Sequence, residues 1–119
     1  KIPLMLIEVQ SGGYLCEDDI DITKDEFIKY VNGQWTMTPE TKMKEYNHPA
    51  MFPEELVYRC LKLFSYKNDV ILDPFNGVGT TTLVAHQLDR QYIGIDISEE
   101  YCKTAEERIL KHHPLSKFF

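Results

Sequence analysis

Two aspartates, Asp73 and Asp96, stand 23 residues apart, each closing a short apolar run: Val70-Ile71-Leu72 before the first and Tyr92-Ile93-Gly94-Ile95 before the second. Acids at the ends of buried strands are costly unless something pairs with them, so the pattern points to binding work. Between them Asp73-Pro74 breaks the first run, and Gly77 and Gly79 let the backbone turn. Thr80, Thr81 and Thr82 then open a helix whose first N–H groups lack helical acceptors and aim at whatever sits above the strand end, favouring an anionic or acceptor-rich ligand. Dinucleotide sites combine such a glycine turn with an acid at the end of the next strand, where it takes ribose hydroxyls. Here the third glycine of that fingerprint is replaced by Thr82, and no Gly-Lys pair makes a phosphate-cradling loop. What remains is a nucleoside-type site whose first strand ends in an acid, as if meeting a cationic group. An adenosine carrying an amino acid and a sulfonium fits that description.

The elements that position these groups are legible around them. Val70-Ile71-Leu72 reads as a strand buried in a parallel sheet, the helix opened by Thr80 ends near Leu88, and residues 91–96 form a second strand. Ser98, Glu99 and Glu100 start a last helix running to about His112, with Tyr101, Cys102, Ala105 and Ile109 inward. Upstream, Pro53, Glu54 and Glu55 begin a helix that reaches about Ser65, its apolar stripe carried by Val57, Leu61 and Phe64 among others. Strand, helix and strand make a βαβ unit of a doubly wound, mainly parallel α/β sheet. Earlier still, Thr23 with Glu26 forms a capping-box pattern that predicts a helix over residues 24–31, with Phe27, Ile28 and Val31 buried. Residues 1–9 read as a strand, residues 11–13 as a turn, and the acidic run Glu17, Asp18, Asp19 and Asp21 as a solvated loop. Residues 34–47 read as a loop anchored by the lone Trp35. His86 and His112, at helix ends, read as surface residues.

The 119 residues are one domain's worth, short for an enzyme with separate cofactor and substrate sites. A net charge of −6 argues against a wholly basic nucleic-acid clamp. Lys42, Lys44, Arg59, Lys62 and Lys67 gather in the middle third, where they read as ordinary solvated faces. Three widely spaced cysteines, Cys16, Cys60 and Cys102, suit reduced thiols in a cytoplasm and carry no metal signature. No run approaches the length of a membrane span. Neither a metal nor a membrane is therefore expected.

The segment DPFNGVGTT, followed by YIGIDISEEYCKTAEERI and preceded by HPAMFPEELVYRCLKLFS, resembles the cofactor-binding half of the bacterial DNA amino-methyltransferases that act on adenine N6 or cytosine N4. In that family DPFxGxGTT is motif I, the acid ending the next strand is motif II, and the HP-to-helix segment is motif X. The resemblance spans residues 48–109 and implies a Rossmann-like, S-adenosylmethionine-dependent methyltransferase fold, here partial. It implies that Asp73 and Phe75 line the methionine end of S-adenosylmethionine, with the Gly77 and Gly79 backbone close against it. Thr80 and Thr81 would meet the methionine carboxylate, Asp96 the ribose hydroxyls and Ile97 the adenine. His48, Pro49 and Ala50 would close the other side of the pocket. From the residues alone, Phe75 has the alternative of a core plug, and His48 reads equally as a satisfied loop histidine.

Two departures from the family matter. Motif X often reads HPTxKP, whereas Ala50 and Phe52 stand here where Thr and Lys would be, removing a hydroxyl and a charge. More consequentially, no Asp-Pro-Pro-Tyr or Ser-Pro-Pro-Tyr box occurs in the chain. In the family that box holds the target amino group and stacks the flipped base. No catalytic residue is therefore assigned, and the expectation is a second half of an enzyme: residues 1–47 as the end of a catalytic or target-recognition region or a linker, and 48–119 as the cofactor-binding region. The expected partners are double-stranded DNA and a catalytic half, lying upstream or on another chain, with a homodimer also open. A restriction-modification setting goes with the resemblance. The rival expectation is a non-catalytic cofactor-binding or assembly subunit that needs a partner chain.

Overall fold

The structure, a computed structural model, describes residues 4–8 and 20–112. The turn expected at 11–13, most of the acidic run and everything after His112 lie outside the described residues. The element order is β1 (Leu4–Glu8), α1 (Lys24–Tyr30), α2 (Glu54–Phe64), β2 (Val70–Asp73), α3 (Thr80–Gln87), β3 (Gln91–Asp96) and α4 (Glu99–Lys111).

The expected βαβ unit is present. β2 and β3 run parallel, with Val70 opposite Gln91 and Asp73 opposite Gly94, and α3 makes the crossover. β1 adds to the other edge of β3 antiparallel, Leu4 opposite Asp96 and Glu8 opposite Tyr92. The sheet order is thus β1-β3-β2, one parallel and one antiparallel pair, and no described strand pairs with the outer edge of β2.

One core lies between the sheet and the helices. Val57 and Leu61 of α2, Leu83, Val84 and Ala85 of α3, Tyr92 of β3 and Ile109 of α4 form a single buried cluster, with Ile71 packed against it. Side chains alternate across a strand, so Ile71 facing the core sends Val70 and Leu72 to the opposite face. There Leu72 is 59% exposed and Val70 is also open. The apolar run therefore misleads on one point: a strand apolar on both faces needs cover on both, and among the described residues only one face has it.

The helix caps are set locally. Thr23 Oγ1 accepts the Glu26 N–H and Glu26 Oε2 accepts the Thr23 N–H, each at 3.1 Å, which is the expected capping box of α1. Ser98 caps α4 through the Tyr101 N–H, and Pro53, expected as the first helical residue, holds the extended N-cap of α2 one position before it.

Three burial expectations fail. Phe27 and Ile28 of α1 and its C-cap Val31 are exposed, and the buried residue is Tyr30, edge-on to Tyr58 and beneath the Arg59 guanidinium. A cap and an apolar count specify that a short helix forms, whereas its facing is chosen by its contact with α2. Phe64, in the last turn of α2, is 83% exposed. Asp21 is no solvated loop acid. With its side chain 11% exposed, it pairs with the fully buried Arg90 side chain and lies 3.4 Å from Lys62 Nζ. Trp35, in contrast, anchors its loop as expected, donating its indole N–H to the Tyr30 carbonyl at 2.8 Å.

Candidate functional site

The two aspartates close parallel neighbours, which brings their carboxylates to the same end of the sheet, on either side of the loop between β2 and α3. Each is held by backbone and hydroxyl donors. Asp73 Oδ1 accepts the Phe75 N–H at 3.0 Å and its Oδ2 accepts the Thr81 hydroxyl at 2.6 Å, tying the end of β2 to the start of α3. Asp96 Oδ1 accepts the Ser98 N–H at 2.8 Å, and its Oδ2 reaches across to the Gly77 N–H at 3.0 Å. A carboxylate offers roughly four acceptor positions, so each acid retains capacity for a ligand's hydroxyl or ammonium protons.

The loop between them is compact for stated reasons. Gly77 and Gly79 have φ of +54° and +85°, the left-handed region that side chains rarely enter. A Cβ on Gly79 would lie 2.5 Å from the Ala105 Cβ, so α4 packs directly on that glycine. A Cβ on Gly77 would lie 3.2 Å from His48 Nε2, so the imidazole lies against the loop. The Gly79 N–H donates to the Asn76 carbonyl, and the Asn76 N–H to the Ile95 carbonyl, both at 2.9 Å.

His48 is held from two sides. Its Nδ1 accepts the Ala50 N–H at 3.0 Å and its ring lies 4.9 Å from that of Tyr101, centroid to centroid. The bond to Ala50 satisfies the histidine locally, and its seat over Gly77 also makes it a wall of the loop, so both readings of this residue have a contact behind them. Phe75 is 86% exposed, which removes the core-plug alternative, and Ile97 is 71% exposed beyond the end of β3. Pro49 and Ala50 are exposed as well. Hence Asp73, Gly77, Thr81, Asp96 and His48 form one connected group, while Phe75 and Ile97 flank it as open apolar surfaces.

Thr80 stands apart from that group. Its hydroxyl is buried and accepts Arg108 Nη1 at 3.2 Å, which leaves its backbone N–H as the group available at the helix start. Arg108 is itself a residue that the sequence reading does not single out, as are Asn76 and Arg90, while Tyr101 and Glu54 enter it only as helix residues. The available signal was position: Arg108 falls on the inward stripe of α4 with Ala105 and Ile109, where a charge needs partners. The middle-third basic cluster divides, with Lys42 and Lys44 exposed as expected. Arg59 is buried in an ion pair with Glu55 and Lys62 is engaged by Asp21, so neither is the solvated cation expected.

The charged and reactive groups divide by role. Asp21 would be raised by its burial, but the Arg90 and Lys62 charges prevail and hold it below the ordinary carboxylate value. Burial pushes the Cys60 thiol up, and burial with the neighbouring Asp96 charge does the same for Cys102, so neither is an activated thiolate. His86 is half-buried, edge-on to Tyr92, not a free surface residue. Among the described residues no group of three or more His, Cys, Asp or Glu could hold a metal ion, and no helix is long and apolar enough to cross a membrane. The arrangement can hold a ligand with hydroxyls at one acid, a cation near the other and an anion at the helix start.

Comparison with known proteins points the same way. The DNA methylase family model matches residues 12–107. An orphan methyltransferase, M.BamHII of Bacillus amyloliquefaciens, is 43% identical over 72 residues, 60% of this chain and 27% of that one. The type II methyltransferase M2.DpnII of Streptococcus pneumoniae is 40% identical over 83 residues, 68% of this chain and 31% of that one. Among solved structures, a DNA modification methylase from Thermus thermophilus, complexed with S-adenosyl-L-methionine, is 30% identical with a TM-score of 0.70. The match covers 87% of this chain and 41% of that one. The cytosine-N4-specific PvuII DNA methyltransferase matches with a TM-score of 0.54 at 25% identity, over 66% of this chain and 30% of that one. The chain spans about a third or less of the length of the curated relatives it matches.

Proposed function

This chain belongs to the DNA methylase family, and from that premise we propose that it supplies the S-adenosylmethionine-binding part of an enzyme that methylates DNA bases. The acceptor in this reading is an exocyclic amino group, adenine N6 or cytosine N4, of double-stranded DNA, in a restriction-modification setting. The observation that carries the reading is the pair Asp73 and Asp96 at the ends of neighbouring parallel strands, joined through one glycine loop by the Thr81 and Gly77 contacts.

The residues present fit the cofactor. Asp96, with acceptor capacity left over, would take the ribose hydroxyls, and Ile97 offers an open apolar surface for the adenine. Asp73 and Phe75 would line the methionine end, the carboxylate countering the positive charge there. Gly77 and Gly79 lack the side chains that would crowd the loop. The free N–H groups of Thr80 and Thr81 suit the methionine carboxylate. His48, Pro49 and Ala50 would form the opposite wall. Bound there, S-adenosylmethionine supplies a methyl group activated by its sulfonium. The chain's own part is to hold and orient that donor.

No Pro-Pro-Tyr-type box occurs in the sequence, so in this reading the acceptor is presented by another polypeptide segment, upstream or on a partner chain, and residues 1–47 adjoin it. Two features support an additional half: the outer edge of β2, beside Asp73, which is unpaired among the described residues, and the apolar face around Leu72, which is open among them. The chain alone would then be inactive. A homodimer and a cytoplasmic location fit the same picture, the latter through Cys60 and Cys102, which form no disulfide among the described residues. The absent box equally favours a non-catalytic cofactor-binding or assembly subunit, which methyl-transfer assays with and without a candidate partner chain would separate.

The test of cofactor binding is thermal. At 100 times its dissociation constant, S-adenosylhomocysteine should stabilise the folded chain by about 2.7 kcal/mol and raise its melting temperature. Asp96→Ala should abolish the rise. A folded wild-type chain with no shift at saturating ligand defeats the proposal, and methylation of DNA by the 119-residue chain alone defeats the missing-half part of it.

A further inference from the structure

We propose that Arg108 is a positioning residue for the carboxylate end of the cofactor: it draws the acceptors of the glycine loop into the protein, leaving N–H donors to face the ligand. The inference rests on the S-adenosylmethionine reading given above. Arg108 is 2% exposed, on the inner stripe of α4. Its Nη1 donates to the Val78 carbonyl at 3.0 Å and to the Thr80 hydroxyl at 3.2 Å, and its Nη2 to Glu54 Oε1 at 3.2 Å. The guanidinium lies 4.5 Å from the Tyr46 ring centroid. One side chain therefore joins the loop, the start of α3 and the start of α2, beside which the His48 segment ends.

The Val78–Gly79 peptide is the sensitive part. Its N–H end is held by the Asn76 carbonyl at 2.9 Å and its C=O end by Arg108. Gly79, at φ +85°, can cross to negative φ at little steric cost, so this peptide plane can rotate if one end is released. Rotation would turn the Val78 carbonyl oxygen toward the ligand side and set a partial negative charge beside the Thr80 and Thr81 N–H groups that would meet the carboxylate. Holding the Val78 oxygen and the Thr80 hydroxyl inward thus sets the polarity of the loop. A buried guanidinium is a costly way to do so, and Arg108 Nε is buried with no hydrogen-bond partner among the described residues. Its planar fork reaches two acceptors in fixed geometry from one nitrogen and a carboxylate from the other, which a lysine ammonium cannot reproduce.

The test compares two nucleosides by isothermal titration: S-adenosylhomocysteine, which has the amino-acid carboxylate, and methylthioadenosine, which lacks it. Arg108→Lys should weaken S-adenosylhomocysteine by about 10- to 100-fold, the range for losing a hydrogen bond to a charged group, while methylthioadenosine stays within about threefold of wild type. Loss of both ligands to the same degree would mean a merely structural residue and would overturn the proposal, as would unchanged S-adenosylhomocysteine affinity. If circular dichroism shows Arg108→Lys to be unfolded, Thr80→Val takes its place, with a selective loss for S-adenosylhomocysteine expected and an equal loss for both ligands refuting. A folded wild-type chain that binds neither nucleoside instead removes the cofactor reading itself, and the positioning role with it.

Discussion

Replacing Gly79 by alanine tests whether this glycine serves the fold independently of any ligand. Two costs can be worked from the geometry. At φ +85° an L side chain is strained by roughly 1–2 kcal/mol. The new Cβ would also lie 2.5 Å from the Ala105 Cβ and 2.9 Å from its Cα. Because a backbone atom is involved, α4 must recoil, and overpacking of that kind costs about 1–3 kcal/mol. The expected destabilisation is therefore about 2–5 kcal/mol, a large share of the roughly 5–15 kcal/mol typical of a domain. Urea unfolding followed by far-ultraviolet circular dichroism reads it as a lower midpoint at unchanged slope. Adding Ala105→Gly removes the Cβ–Cβ overlap and leaves the backbone strain. The 2.9 Å contact with the Ala105 Cα stays, so the double variant should recover only part of that overpacking cost, about 0.5–2 kcal/mol relative to additivity. A Gly79→Ala loss below about 0.5 kcal/mol, or strictly additive double-variant energies, would show that α4 does not press on this glycine as described.

Acid should loosen the tie between the segment before α1 and the β3 entrance. Asp21 sits below its ordinary value when folded, so its pairing with Arg90 and Lys62 contributes stability in full above about pH 4 and loses it as pH falls through the lower folded value. Urea midpoints measured from neutral pH down to about pH 3 should fall less steeply in Asp21→Asn than in wild type, and parallel slopes would refute the assignment. Leu72→Asp, on the open face of β2, should change the chain's own unfolding free energy by only about 0.5 kcal/mol, as exposed substitutions do. A loss above roughly 2 kcal/mol would mean that this face is covered within the chain itself.

The sequence by itself determined the parts of this protein whose physics is local. The Thr23–Glu26 capping box, the Ser98 cap, the break at Asp73-Pro74 and the turn through Gly77 and Gly79 depend on residues within a few positions of one another, the crossover between two acid-terminated strands on one continuous segment, and each is found where its pattern puts it. The candidate site was legible for the same reason, since its glycine loop and the two acids lie on that one strand–helix–strand segment. Tertiary structure alone decided which surfaces are covered and which charges are buried. The helical spacing of Phe27, Ile28 and Val31 could not reveal that α1 turns Tyr30 toward α2 instead, and the apolar run at Val70 could not reveal that Leu72 stands open. Asp21 meets Arg90 across 69 residues, and Arg108 meets Glu54 across 54. A buried guanidinium is tolerable only where distant acceptors converge on it, and that convergence belongs to the fold, not to any segment.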